Sequence, residues 1–218
     1  MGFAALTSGG KDSILSCQLA IDGGKEVDFL VTVRPDNRES YMFHSANLDA
    51  VPVIARHAGM KYVEIQTHGR KEEELIDLER GLSHLPVEGV IVGAIASAYQ
   101  NDRVATIARS LSLEVYAPLW KRDPEMIVTE VADRLHAILV VTAAEGLDDT
   151  FLGARIDRPL IGRLKAVAAK HRIHIAGEGG EYESLTLHAP FYGDPVTFEK
   201  AEIHRSTGRS ELVLGGFA

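Results

Sequence analysis

Cysteine is almost missing from this chain. Cys17 stands alone among 218 residues, so no internal disulfide can form, and the cytoplasm is the expected location. No apolar run approaches the roughly 20 residues that span a bilayer. The N-terminus has no basic segment followed by a long apolar one, so neither membrane association nor a leader peptide is expected. Positive charge is also scarce, with 23 Lys and Arg against 31 Asp and Glu and a net charge of −8. Broad, sequence-independent binding to DNA or RNA depends on neutralising phosphates, and this balance argues against it. A locally basic site or a basic protein partner stays compatible with it. Internal repeats, low-complexity tracts and polar linkers are absent too. What is present is 45% hydrophobic and 25% charged, the make-up of a packed globular core. The length suits one α/β domain with a modest extension.

The apolar pattern predicts an ordered alternation. Residues 3–6 read as a buried strand; Ser8, Gly9 and Gly10 are too small and permissive to continue it, and Asp12 and Ser13 are placed to cap a helix over 13–21. Gly23 and Gly24 stop that helix. Further strands are expected at 27–33, 61–66, 89–92, 113–117 and 136–142. Helices are expected at 48–58, 71–84 and 103–111, with another starting at Asp123 and Pro124. Such alternation predicts a doubly wound, mostly parallel sheet with helices on both faces and right-handed crossovers. Ligands of these sheets sit beyond the carboxyl ends of the strands, which gathers the loops 8–13, 34–47 and 93–103 along one edge. After Thr142 the texture changes: a loop over 143–156, a helix over 159–171, then strands at 184–188, 196–204 and 210–214 with a turn at 206–208. The expected organisation is an α/β domain over 1–142 and a strand-rich C-terminal extension over 143–218 that docks on the sheet edge.

Three stretches carry chemistry. The first is SGGKDS at residues 8–13. Strand, glycine turn and helix N-terminus aim backbone N–H groups and a helix dipole at one point, which suits a phosphate. Lys11 adds a point charge there, and Asp12 is a candidate to hold magnesium. A Walker A loop is excluded, because Ala5 and Asp12 occupy its required Gly and Ser/Thr places. The run resembles the PP-loop signature of ATP pyrophosphatases, which split ATP between the α and β phosphates. The second stretch is GEGGEYES at residues 177–184. In an extended segment Glu181 and Glu183 share a side, and with Glu178 so near, the carboxylates repel one another unless a cation joins them. Gly179 and Gly180 permit close backbone approach to a ligand. The third stretch covers residues 88–103, where Gly93 and Ala94 leave room for a base or ribose. Ser97, Tyr99, Gln100 and Arg103 then form a polar cluster, with Arg103 suited to an α-phosphate or a carboxylate. Cys17 falls among Ile14, Leu15 and Leu19 and reads as a packing residue.

Together these motifs resemble the diphthine–ammonia ligase family, within the PP-loop (adenine nucleotide alpha hydrolase-like, HUP-like) class. The resemblance runs through EGV at 88–90, GAI at 93–95, Tyr99, Gln100 and Arg103, PLWKRD at 118–123, GLD at 146–148, FLG at 151–153 and the run at 177–183; YMFH at 41–44 also fits. The chain departs from the family at His188, where Leu-Asp-x-Pro is usual. The resemblance implies an ATP-dependent amidase that completes diphthamide on translation elongation factor 2 bearing diphthine, with free ammonium as the nitrogen source and release of AMP and pyrophosphate. No cysteine is spare for a glutaminase nucleophile. It implies ATP and Mg²⁺ as cofactors, with Ser8, Gly9, Gly10, Lys11 and Ser13 at the β and γ phosphates, Asp12 at the metal, and Val31, Gly93 and Ala94 beside the adenosine. Lys11, Asp12, Arg103, Glu181 and Glu183 are the catalytic candidates. The substrate's trimethylammonium group gives Glu178, Glu181 and Glu183, with Tyr182, Trp120 or Tyr99, a role as an acidic or aromatic cage, and Gln100, Gly179 and Gly180 are expected beside them at the substrate. Monomer or homodimer stays open. So do two other readings: a tRNA-modifying PP-loop adenylating enzyme, and a non-catalytic ATP-binding module.

Overall fold

The computed structural model describes residues 1–36, 46–68, 73–96 and 98–218, with the side chains of 98–101 left undescribed. Five strands form one parallel sheet: β1 (Phe3–Leu6), β2 (Val27–Pro35), β3 (Lys61–Thr67), β4 (Gly89–Ile91) and β5 (Glu114–Tyr116). Their order is β3-β2-β1-β4-β5. The chain winds outward one way through β2 and β3, then returns past β1 to lay down β4 and β5. The crevice between the carboxyl ends of β1 and β4 is therefore the topological switch point, where such sheets bind ligands.

Helices cover both faces. The helices α1 (Lys11–Asp22), α2 (Val51–His57, preceded by a 3-10 turn, Leu48–Ala50) and α5 (Pro124–Arg134) lie on one side. The other carries α3 (Glu73–Ser83) and α4 (Ala98–Ser110). Strand alternation divides the packing: Phe3 and Ala5 join Ile14, Leu15 and Ile54 in one core, while Ala4, Phe29 and Val31 join Leu78, Leu82, Val104 and Ile107 in the other. Local rules set the helix starts. Asp123 accepts from Met126 N at 3.0 Å ahead of Pro124 at the first turn of α5, as Asp157 does from Leu160 N at 2.9 Å for α6 (Arg158–His171).

The strand β6 (His136–Thr142) corrects the expected continuation of the parallel sheet. It lies in a second, antiparallel sheet of order β7-β6-β9-β8, with β7 (Tyr182–His188), β8 (Lys200–Ser206) and β9 (Arg209–Gly215). This sheet is separate from the first rather than an addition to its edge. Residues 196–199, expected as strand, precede β8, whereas β7 begins two residues earlier than expected. The second sheet closes over α1, and Leu139, Val141 and Leu185 share a core with Ile14, Leu15, Ile127 and Val131. A helix enclosed this way needs apolar or satisfied residues nearly all round. Accordingly α1 buries Lys11, Ile14, Leu15, Ser16, Cys17, Gln18 and Ala20. No helix among the described residues is long and apolar enough to cross a membrane.

Candidate active site

The glycine turn is built by hydroxyls as much as by glycines. Thr7 N donates to Val31 O at 2.9 Å, and Thr32 Oγ1 donates to Thr7 O at 2.8 Å, which extends the end of β1 beside β2. Gly9 turns the chain at φ 80°, a left-handed conformation costly for any residue with a Cβ. Its N–H donates to Thr7 Oγ1 at 2.8 Å, and its carbonyl accepts from Thr186 N in β7 at 2.8 Å. Gly10 caps α1 in extended backbone without a side-chain cap. The expected capping by Asp12 and Ser13 is corrected accordingly: both lie in the first turn, and Ser13 Oγ sits 2.7 Å from Thr7 Oγ1 and 3.0 Å from Gly10 O. Thr7 was missed from sequence, although a hydroxyl directly before a Ser-Gly-Gly turn is a turn-forming signal in itself.

A cavity of about 200 Å³ opens at the switch point. Ser8, Gly10, Lys11, Asp12 and Ser13 line it from the helix end, Val31, Gly93 and Ala94 from the strand ends, Glu178 from the loop before β7, and Tyr182, Glu183 and Ser184 from β7. Gly9 supports this wall without lining it. Gly93 also meets a packing demand: a Cβ there would meet Ser13 N at 2.7 Å and Asp12 C at 2.9 Å, so its smallness admits the backbone of α1.

The acidic stretch is held by the protein's own donors. Glu181 accepts from His174 N at 2.7 Å and Gly179 N at 2.8 Å, and is not among the cavity-lining residues. Its carboxylate folds the loop, which corrects the expectation that it faces a ligand beside Glu183. A Cβ on Gly179 would fall 2.8 Å from Glu181 Oε1, so glycine there leaves room for the carboxylate, and Gly180 turns at φ 80°; neither lines the cavity. Glu178 accepts from Ala96 N at 2.9 Å, joining the loop to the segment after β4. Glu183 pairs with Arg209 of β9 at 3.0 Å. Tyr182 is buried, donates its hydroxyl to Ile175 O at 2.7 Å, and carries the Lys11 ammonium 5.2 Å from its ring centroid. Burial, followed by the nearby Asp12 and Glu181 charges, holds its phenol well above the usual tyrosine pKa. One face of its ring thus carries a cation of the protein's own.

Three other expected residues lie elsewhere. Trp120 packs against the core on the α3–α4 side, with Lys121 Nζ 5.8 Å from its ring, and does not line the cavity. Arg103 is half-buried on α4, also outside the lining. The side chains of Tyr99 and Gln100, Ser97 and YMFH at 41–44 lie outside the described residues. Among the described residues no group of three or more His, Cys, Asp or Glu gathers to hold a metal.

Residues 1–115 match the family described as Diphthamide synthase N-terminal domain, and residues 123–211 match Diphthamide synthase C-terminal domain. The chain belongs to the diphthamide synthase family. The two matches part between β5 and α5, so the diphthamide synthase C-terminal domain takes in β6, in line with the division between the two sheets. Proteins named diphthine–ammonia ligase from Danio rerio and Homo sapiens are 32% and 31% identical to it, each over 93% of this chain and over 88% and 85% of their own lengths. A solved structure titled as a predicted subunit of tRNA methyltransferase from Methanocaldococcus jannaschii covers 87% of this chain and 98% of its own, with a TM-score of 0.51 at 12% identity. That likeness is one of fold.

Proposed function

We propose that this diphthamide synthase family member amidates the carboxylate of diphthine on translation elongation factor 2, using ATP and ammonium and passing through an acyl-adenylate. Family membership supports the coarser statement, a C–N ligase of diphthamide synthesis. The observation that carries the finer one is the composition of the cavity. A helix N-terminus with SGGKDS forms one wall, and the glutamates of a distant loop form another.

A carboxylate does not condense with ammonia at neutral pH, because its carbonyl carbon is already electron-rich. Attack by a carboxylate oxygen on the α-phosphorus of ATP breaks the α–β bridge, expels pyrophosphate and leaves a mixed anhydride. Ammonia then adds to the carbonyl, AMP leaves with the electron pair, and the nitrogen sheds a proton. Ser8, Gly10 and Ser13, with the first N–H groups of α1, receive the β and γ phosphates. Val31, Gly93 and Ala94 border the adenosine. Asp12 would hold a magnesium ion, which neutralises phosphate charge when bound. A single carboxylate beside a phosphate site fits an ion that takes most of its ligands from water and nucleotide. Glu178 and Glu183 face the trimethylammonium group, and positioning with charge stabilisation supplies most of the rate. The labour divides between residues 1–142 for ATP and 143–218 for substrate, with β6 serving the second sheet.

Release of AMP and pyrophosphate, assayed with and without diphthine-bearing elongation factor and ammonium, tests the reading. Dependence on both is expected. ADP as product would overturn it, as would ATP binding with no turnover, the behaviour of a non-catalytic module.

A further inference from the structure

Lys11 is 4% exposed, too enclosed for a simple surface cation. Its ammonium donates to Ala176 O at 2.6 Å and to Asp12 Oδ2 at 2.7 Å, and lies against the Tyr182 ring. Of three N–H donors, two go to protein oxygens. The backbone N–H of Lys11 meanwhile donates to Ser184 Oγ at 3.1 Å. One residue of the glycine turn thus grips the acidic stretch just before it starts and at its last residue. Inside that grip the loop closes on itself: Gly177 N donates to His174 O at 2.8 Å, Tyr182 Oη to Ile175 O, and the Glu181 carboxylate takes two more N–H groups. A phosphate that drew the ammonium away would strip Ala176 O, in a residue 1% exposed, of its charged donor.

We propose that Lys11 is a positioning residue for the protein substrate rather than a ligand of the ATP phosphates. It braces residues 176–184 so that Glu178 and Glu183 stay on the cavity wall. The phosphates are then held by the backbone N–H groups and hydroxyls of the glycine turn and the first turn of α1. This rests on reading the cavity as the ATP site and the acidic loop as the substrate site.

The test uses the full chain with Lys11→Met, which removes every donor, and Lys11→Gln, which keeps an uncharged N–H for Ala176 O. Binding of ATP alone is measured by calorimetry, opening of residues 174–184 by amide hydrogen exchange, and KM separately for ATP and for the modified elongation factor. Expected for Lys11→Met are ATP affinity within about threefold of the unaltered chain, exchange faster by about tenfold or more, and a KM for the protein substrate raised about tenfold. Partial recovery of protection is expected in Lys11→Gln. A tenfold loss of ATP affinity in either variant overturns the proposal, whatever the exchange shows, and so does unchanged exchange in Lys11→Met. Failure of the unaltered chain to bind ATP strikes the functional reading instead, because exchange reports the brace on its own.

Discussion

Two glycine-rich segments meet at the cavity, and they use their residues in opposite ways. Residues 8–13 keep to the cavity wall, where Ser8, Gly10, Lys11, Asp12 and Ser13 all line it, while the Thr7 hydroxyl just before them holds the turn through Gly9 N and Ser13 Oγ. In residues 177–184 the side chains that promised ligand contact are partly consumed: Glu181 binds its own loop, and Tyr182 carries Lys11. Glu178 and Glu183 keep a place on the wall. A dense motif therefore locates a site without saying which of its charges face the ligand. That depends on partners far away in sequence.

The largest effect expected from breaking the comparison lies where neither segment is altered directly. Gly93→Val pushes a side chain into the backbone of α1 at Ser13 and Asp12. A cost of about 3 kcal/mol in chemical denaturation is expected, together with loss of ATP binding by calorimetry, because the helix N-terminus shifts.

Next comes Glu183→Gln, which keeps shape but weakens the pair with Arg209 and removes the charge offered to a cationic substrate. Amide formation should fall about a hundredfold, worth about 2.7 kcal/mol, with ATP affinity unchanged. Equal loss of both would move Glu183 to the metal side of the site. Glu181→Gln sharpens the contrast between the two glutamates. It can accept only one of the two N–H groups well, so a cost of about 1–2 kcal/mol should appear as faster local hydrogen exchange at 174–181, with a smaller fall in turnover than Glu183→Gln.

The parallel sheet and the glycine turn were legible because their causes are local. Short apolar runs separated by helical spacing specify parallel strands, and SGGKDS follows one of them directly. The strand β6 was legible as a strand but not as a member of its sheet. Its residues are buried on both faces in the second sheet too, so an apolar run of that kind looks the same in either. Glu181 was misread because His174 N, its partner, is placed by a loop whose closure no spacing rule records. Trp120 stands in a stretch that resembles the family, yet its ring packs against the core of the α3–α4 side and does not line the cavity.

The smallest effect concerns Cys17, which lies behind the glycine turn and tests whether α1 is as enclosed as the two sheets make it. Burial pushes its thiol up to about 12 from 9.0. At pH 8 the folded protein should then hold about a thousandfold less thiolate than an unfolded chain and react correspondingly slowly with a thiol reagent. The sign for stability follows: between pH 9 and 12 the unfolded thiol ionises while the folded one does not, so stability falls as pH rises. Cys17→Ala should flatten that slope. Fast labelling of the folded protein at pH 8 would show α1 to be open.

The acyl-adenylate is the central claim, and isotope transfer reaches it most directly. Diphthine-bearing elongation factor labelled with ¹⁸O in the diphthine carboxylate should, with ATP and ammonium, yield AMP carrying one ¹⁸O atom on its phosphate and unlabelled pyrophosphate. Label in pyrophosphate or inorganic phosphate, or AMP without label, would contradict it.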